Sequence, residues 1–358
     1  MATRKPDTSR GFRPSVPWTE DIVRPANEIL RLDGRLETRL LSTQLHQVVL
    51  GVARLRNAVS SLRMEGEVVE LDRAREVLDG RTPTSPTEDG FLRLAKAYGG
   101  LARGVVPELS IRGIVQKHRE LFDGVLTSAP AGRLKTEQNS IVNSGTGRPI
   151  FLPTPPERVE AELTALLEWY RTDRFHFPGP VAAGLFFAEF QAIHPFGDGN
   201  GRIGRYLNSA ILQELGLKRI SAVPLDLRFF RSSDHYYEML ATTNSGSNYS
   251  LWIRYFVKEV EHAYRLADRQ ANLGPVLNRF SRASTRSVLR WVLASDGGWF
   301  RRGDFPNPTK LSPPAVWAAL DELRKGGIVE ARGERRGRAY RLNPKFLADL
   351  YAARLPAT

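Results

Sequence analysis

Apolar residues return at helical spacing along most of this chain, and the interruptions mark where elements end. Residues 1 to about 17 are polar with three prolines and read as a loose arm. From Asn27 to about Met64 the pattern is helical: Leu45, Val48, Val49 and Val52 fall on one face, and Gly66 follows as a stop signal. Arg81 to Gly90 is rich in Pro, Thr and Ser and reads as a loop. Further helical segments run from Phe91 to about Tyr98, Ser110 to Leu121 and Glu157 to Tyr170. Between the last two the texture changes. Gly132 to Leu152 holds two short runs, Leu134–Ile141 and Arg148–Leu152, around Asn143-Ser144-Gly145-Thr146-Gly147, the spacing of a β-hairpin. An apolar helix from Val181 to Ile193 runs into His194, and a long helix starts near Gly201 and ends before Gly216. Helices follow at Ser233–Thr243 and Ser250–Ala267, and Gly274-Pro275 is a plausible boundary.

Composition narrows the class. The chain has 358 residues, 41% hydrophobic and 25% charged, and no cysteine. That length allows two or three domains, each large enough to bury a core. The lack of cysteine excludes disulfides, thiol nucleophiles and cysteine zinc sites, and suits a reducing compartment. No apolar run approaches the roughly 18 residues that a membrane span needs. The polar N-terminus has no apolar region behind it, so the expectation is a cytoplasmic protein with no membrane partner. The net charge is +13, and Pro275 to Thr358 carries 16 basic and 7 acidic residues, a net +9. The excess is local, so the C-terminal segment is a candidate to meet a polyanion, against the blander reading of a solvated arginine-rich surface.

The chemistry concentrates in His194-Pro195-Phe196-Gly197-Asp198-Gly199-Asn200-Gly201-Arg202-Ile203-Gly204-Arg205. Its glycines allow tight turns and close approach of a ligand. Gly199-Asn200-Gly201 immediately precedes a helix, whose free first-turn amides and dipole make an anion site suited to phosphate. Arg202 and Arg205 are three apart, so both project from one helical face and can hold a polyphosphate; Ile203 and Gly204 lie between them in the same turn. Asp198 is a hard oxygen ligand beside that site, as a phosphate-bridging Mg2+ requires. His194 can take a proton from a hydroxyl near neutral pH. Phe196 is read as a core anchor under the loop.

This segment resembles the Fic family signature, His-Pro-Phe-x-(Asp/Glu)-Gly-Asn-Gly-Arg-x-x-Arg, at every specified position. The resemblance implies a mainly α fold: an all-helical Fic core with a β-hairpin flap. It also implies transfer of AMP from ATP to a protein hydroxyl, the chain's own included, with release of pyrophosphate. Carried over, His194 is the base that activates a Ser, Thr or Tyr hydroxyl, and Asp198 holds Mg2+ between the α- and β-phosphates. The amides around Gly199 to Gly201 and the Asn200 side chain bind the α-phosphate. Arg202 meets the β-phosphate and Arg205 the γ-phosphate.

Three further elements extend the match. Ser61-Leu62-Arg63-Met64-Glu65-Gly66 fits the family's inhibitory pattern, (Ser/Thr)-x-x-x-Glu-(Gly/Asn). A carboxylate at Glu65 can pair with Arg205 in a bidentate way and deny it to the γ-phosphate, which describes a self-inhibited member. Gly132–Leu152 occupies the place of the family's flap, which holds the target by strand pairing. Lys135 there replaces the usual Arg and Ser140 the usual Trp, and Ile141 is either a clamp on the target side chain or an ordinary hairpin residue. Ser233-Asp234-His235-Tyr236-Tyr237 and Asn244 match a stretch lining the nucleoside pocket, so Tyr237 and Asn244, about two helical turns apart, are expected at adenine and ribose.

Residues 281–345 read as a separate module. Ser284–Ala294 is one apolar-faced helix, and Leu311-Ser312-Pro313-Pro314 starts another, closed by Gly326-Gly327. Ile328–Ala331 and Ala339–Leu342 flank a basic tip that includes Arg335, Arg336 and Arg338. Helices followed by a basic wing resemble a winged helix-turn-helix domain, which docks a helix in the major groove and the wing on phosphates. The apolar run Ala315-Val316-Trp317-Ala318-Ala319 offers few base-reading groups, so DNA contact and dimerisation both stand. The expected organisation is an N-terminal helical region with the inhibitory helix at 1–110, a catalytic core at 111–272 and the winged module at 273–358. Two rivals stand beside AMP transfer: removal of AMP from a modified hydroxyl by the same site, and a DNA-binding regulator that senses ATP.

Overall fold

The computed structural model describes residues 3–40, 43–142, 149–245, 248–271, 277–294, 299–304, 311–334, 337–343 and 346. The chain divides into two compact units, Met1–Ala271 and Asn272–Thr358. The fold is mainly helical, and no helix among the described residues is long and apolar enough to cross a membrane.

The first unit is organised around one helix with no exposed face. Among its helices are α1 (Glu20–Arg39), α2 (Thr43–Arg63), α3 (Leu71–Leu78), α4 (Pro86–Leu101), α5 (Ile111–Phe122), α6 (Pro156–Thr172), α7 (Gly179–Ile193) and α8 (Asn200–Glu214). After α8 come α9 (Leu225–Arg231), α10 (Ser233–Ala241) and α11 (Ser250–Ala271). In α7 every residue from Pro180 to Ile193 is buried, so the helix, apolar except for Glu189 and Gln191, threads the core. The outer helices are amphipathic: α1 buries Ile22, Ala26, Ile29, Leu32 and Leu36 at helical spacing. Asp33, buried on the same helix, accepts from the Lys218 and Arg219 amides and from the Tyr264 hydroxyl.

Several boundaries differ from the sequence reading. The helical stretch read as continuous from Asn27 to Met64 is two helices: α1 starts at Glu20, where Glu20 and Asp21 sit favourably in the first turn, and ends at Arg39. The loop read over Arg81–Gly90 is cut short by α4, because Ser85 caps its helix by accepting from the Glu88 amide and Pro86 fits the first turn. The N-terminal arm is packed down. Its strand β1 (Thr3–Arg4) pairs parallel with β3 (Pro149–Leu152), and β3 pairs antiparallel with β2 (Ile141–Val142). Lys5 is buried against Glu162 at 2.8 Å and Glu189 at 2.7 Å, and Phe12 meets Trp169 edge-on. Most of the run Leu134–Ile141 is not strand. It lies along the signature loop, with the Lys135 amide donating to Pro195 O at 2.9 Å. Residues 143–148, which include the expected turn between β2 and β3, lie outside the described residues.

The second unit holds α12 (Ala283–Ala294), β4 (Phe300–Arg301), α13 (Pro313–Lys325), β5 (Val329–Arg332) and β6 (Ala339–Leu342). The strands form an antiparallel sheet in the order β4-β6-β5 over its own core, which includes Val288, Leu289, Leu320, Leu323 and Val329. Ser312 caps α13 by accepting from the Ala315 amide. Trp317 on α13 is half exposed. Arg332 and Arg341 both lie over the Trp299 ring, at 4.3 and 4.7 Å. Arg335 and Arg336 lie outside the described residues.

Candidate active site

The loop joining α7 to α8 carries the signature. His194 closes α7 with φ 52°, the one described residue other than glycine in the left-handed region. Holding an imidazole there costs on the order of 1–2 kcal/mol and turns the ring off the helix axis. Its Nδ1 lies 3.1 Å from Gln191 O. A carbonyl only accepts, so Nδ1 carries the proton and Nε2 keeps its lone pair. Burial pulls the pKa of His194 down to about 4, aided by nearby Lys135, so the ring is neutral at pH 7.

The loop is clamped from inside. The Phe196 amide donates to Asn200 Oδ1 at 2.9 Å, and Asn200 Nδ2 donates back to Phe196 O at 2.8 Å. Asn200 is therefore a buried strut, with one N–H of its amide left over. Gly199 sits at φ 76° and caps α8, a backbone state that favours glycine. The amides of Asn200, Gly201 and Arg202 make no hydrogen bond among the described residues, as first-turn amides of an anion-binding helix should. Ile203 and Gly204 are buried in the same turn.

A residue that the sequence reading passed over holds this loop in place. His118 on α5 stacks on Phe196, with centroids 3.8 Å apart and planes at 18°. The Gly132 amide donates to its Nδ1 at 2.9 Å, so Nε2 must be the protonated nitrogen, and it donates to Asp198 O at 2.9 Å. Burial lowers its pKa to about 4, which keeps it neutral. The available signal was its spacing: His118 lies four residues after Ile114, on the face that also buries Leu121 and Phe122.

Asp198 is half-buried. Burial raises its pKa, but the Ser128 hydroxyl, the Gly199 amide and Arg202 outweigh it, so the carboxyl stays below the usual range. Among the described residues no group of three His, Cys, Asp or Glu could hold a metal ion. One carboxylate fits Mg2+ only where phosphate oxygens supply most of the ligands.

Both signature arginines are buried and already paired. Arg205 is 1% exposed; Nε donates to Ser61 Oγ at 2.9 Å, and Nη2 donates to Ser61 O at 2.8 Å and Glu65 Oε1 at 2.7 Å. The expected bidentate fork on Glu65 is instead a single nitrogen contact, because Ser61 takes the rest of the guanidinium. Burial works against the charge of Arg205, yet Glu65 leads the neighbours that raise its pKa. Arg202, 3% exposed, pairs with Glu67 and, at 3.2 Å, with Asp198. Ser61 lies in the last turn of α2, and Gly66 at φ 79° reverses the chain, with the Glu67 amide returning to Leu62 O at 3.1 Å. Gly201 makes room for this turn: a Cβ there would stand 2.1 Å from Glu65 Oε1.

Tyr237 meets the same turn, its hydroxyl donating to Met64 O at 3.0 Å. Asn244 belongs to a 3-10 turn (Thr242–Ser245), and its side chain lies outside the described residues. Lys135 is buried, donating to Asn139 Oδ1 at 2.7 Å and Ile193 O at 3.4 Å, and burial lowers its pKa to about 8. Ser140 is exposed and Ile141 half-buried.

The arrangement assembles a neutral imidazole, a carboxylate, a helix N-terminus and two arginines within one loop and turn. Residues 108–212 match the Fic/DOC family. The chain is 30% identical over 155 residues to protein adenylyltransferase fic-1 of Caenorhabditis elegans, covering 43% of this chain and 28% of that protein. It spans less than a third of the length of that relative, so the likeness concerns the segment and not the whole. It is 36% identical over 99 residues to a Fido domain-containing protein of Dictyostelium discoideum, covering 26% of this chain and 67% of that one. The fold resembles the crystal structure of a Fic family protein from Desulfovibrio desulfuricans, with TM-score 0.62, 21% identity, and 93% and 99% of the two chains covered. Together with the signature loop and its geometry, the coverage of the D. discoideum relative places this chain in the Fic/DOC family.

Proposed function

We propose that this protein is an adenylyltransferase that moves AMP from ATP to a Ser, Thr or Tyr hydroxyl of a protein, itself included, in a cytoplasmic setting. The observation that carries the reading is His194, its Nδ1 bonded to Gln191 O and its Nε2 without a hydrogen bond among the described residues, one short loop from the N-terminus of α8. In the reaction the hydroxyl oxygen attacks the α-phosphorus, its proton passes to His194 Nε2, the bond from the α-phosphorus to the bridging oxygen breaks, and pyrophosphate leaves. The first-turn amides of α8 and the spare N–H of Asn200 receive the α-phosphate oxygens; Arg202 and Arg205 receive the β- and γ-phosphates. Asp198 would hold Mg2+ there, and the ion would offset the charge that develops on the leaving phosphates. Tyr237 and Asn244 would border the nucleoside. Anionic phosphates beside His194 would raise its pKa from about 4 toward the working range of a base.

The resting protein is held off by Glu65 on Arg205. In this reading residues 1–110 supply the inhibitory helix, 111–272 the catalytic core, and 273–358 a winged helix-turn-helix. The three-stranded sheet beside α12 and α13 supports the last assignment. Steep salt dependence of duplex binding would mark DNA as its partner; a shift in oligomeric state on removal of this segment would mark a second copy.

The test uses labelled ATP with wild type, Glu65→Gly and His194→Ala. Glu65→Gly should raise AMP incorporation, and His194→Ala should abolish it while ATP still binds. Incorporation that survives His194→Ala would overturn the proposal.

A further inference from the structure

Glu67 stands outside the inhibitory pattern, yet it does to Arg202 what Glu65 does to Arg205. The turn Glu65-Gly66-Glu67 is fixed at three points: the left-handed Gly66, the Glu67 amide on Leu62 O, and Tyr237 on Met64 O. Two carboxylates from one turn therefore reach two arginines on one face of α8. Neither arginine is free to seek another anion. Arg202 is also held by Asp198, with its guanidinium 4.9 Å from the Phe122 ring centre, and Arg205 is wrapped by Ser61.

We infer that Glu67 is a specificity-determining residue that competes with the β-phosphate, so that the resting site favours a nucleoside monophosphate over the corresponding di- and triphosphates. The inference rests on the proposed reading of Arg202 and Arg205 as the β- and γ-phosphate arginines. The first-turn amides of α8, which make no hydrogen bond among the described residues, remain the subsite for a single phosphate. A second phosphate must displace Glu67 from Arg202, and a third must displace Glu65 from Arg205. Each exchanges one charge-assisted contact for another, so the added phosphates bring little affinity to the resting protein. The ligand class that suits this state is a nucleoside monophosphate, free or esterified to a protein hydroxyl; the esterified form is the substrate for removal of AMP by water.

The experiment is a calorimetric titration of AMP, ADP and ATP, each with magnesium, into full-length wild type, Glu67→Gln and Glu65→Gly. The Glu67 side chain is about a quarter exposed, and Gln keeps its shape, so the substitution removes charge without opening a cavity. Wild type should bind AMP at least as tightly as ATP. Glu67→Gln should tighten ADP and ATP about tenfold and leave AMP within about twofold; Glu65→Gly should tighten ATP alone. A Glu67→Gln protein whose ADP affinity is unchanged, or whose three affinities rise equally, overturns the inference, even where Glu65→Gly transfers AMP. No nucleotide binding by any variant overturns it together with the proposed function.

Discussion

Replacing His118 by Phe separates the loop's geometry from its composition. The Phe ring can keep the stack on Phe196 and the edge contact with Phe122, whose centroid lies 4.8 Å away. It removes both hydrogen bonds, leaving the buried Gly132 amide and the partly buried Asp198 carbonyl without a partner. Each such loss costs about 1–3 kcal/mol, so the variant should be less stable by about 3 kcal/mol at pH 7. The pH dependence sharpens the test. The unfolded chain protonates this imidazole near 6.5, and burial holds the folded one near about 4. Between those values the unfolded state binds more protons, so the stability that neutral His118 contributes is complete above 6.5 and is lost as pH falls through about 4. That gap is worth on the order of 3 kcal/mol, and Phe does not titrate. His194, shifted the same way, is present in both proteins and cancels. Urea unfolding followed by circular dichroism at pH 7, 5.5 and 4 should show the difference between wild type and variant shrinking nearly to zero. A difference that stays constant over that range would refute the buried, neutral, doubly bonded histidine.

Two other substitutions probe what surrounds the loop. Lys5→Met leaves Glu162 and Glu189 facing each other without their shared cation and should cost about 3–5 kcal/mol in thermal or urea unfolding; an unchanged midpoint would mean that the N-terminal arm is not pinned there. Gly199→Ala forces an L residue to φ 76° with its Cβ 2.9 Å from the Phe122 ring and 3.2 Å from His118 Nε2. It should weaken calorimetric AMP binding at least tenfold, and affinity equal to wild type would show that the loop tolerates another path.

The signature was legible because its chemistry is local. His194, Asp198, the glycines and both arginines lie within twelve residues, and the turn that aims them is written in the same stretch. The Glu65–Arg205 contact could be foreseen from a motif, but its shape could not, since Ser61's carbonyl and hydroxyl claim most of the fork only once α2 lies against α8. The arm was misread for a related reason. Lys5, Thr8 and Thr154 are polar and belong at the surface until β1 joins β3 and the buried carboxylates Glu162 and Glu189 supply partners from distant helices. Burial of a lysine beside two glutamates is a long-range event with no short-range signature. Glu67 was visible as an acid two residues past Glu65, but only the Gly66 reversal shows that both side chains reach the same helix.

Two buried guanidinium groups cannot stand unpaired, and this governs how such a site rests. Leaving one without a counter-charge in a low-dielectric place costs about 3–5 kcal/mol, a large part of a domain's stability. A folded protein without nucleotide must therefore bring its own anions to Arg202 and Arg205, and it does so with Glu67, Asp198 and Glu65. Asp226, fully buried and bonded to the Tyr98 hydroxyl at 2.5 Å, lies near Arg205; burial raises its pKa to about 6, and Arg205 and Tyr98 favour its ionised form. Inhibition in the proposed reading then follows from stability: the groups that allow the empty site to fold are those a triphosphate must displace. The same logic sets the order of release. Glu65 touches Arg205 through one nitrogen and is backed by Ser61 and Asp226, so its removal leaves Arg205 partly compensated and still in place to take up phosphate. Arg202 without Glu67 keeps Asp198, the residue that would also face the metal. Arg202 thus retains a paired carboxylate after giving up Glu67, and Arg205 keeps its two contacts to Ser61 after giving up Glu65, which lets the site change ligand without losing its fold.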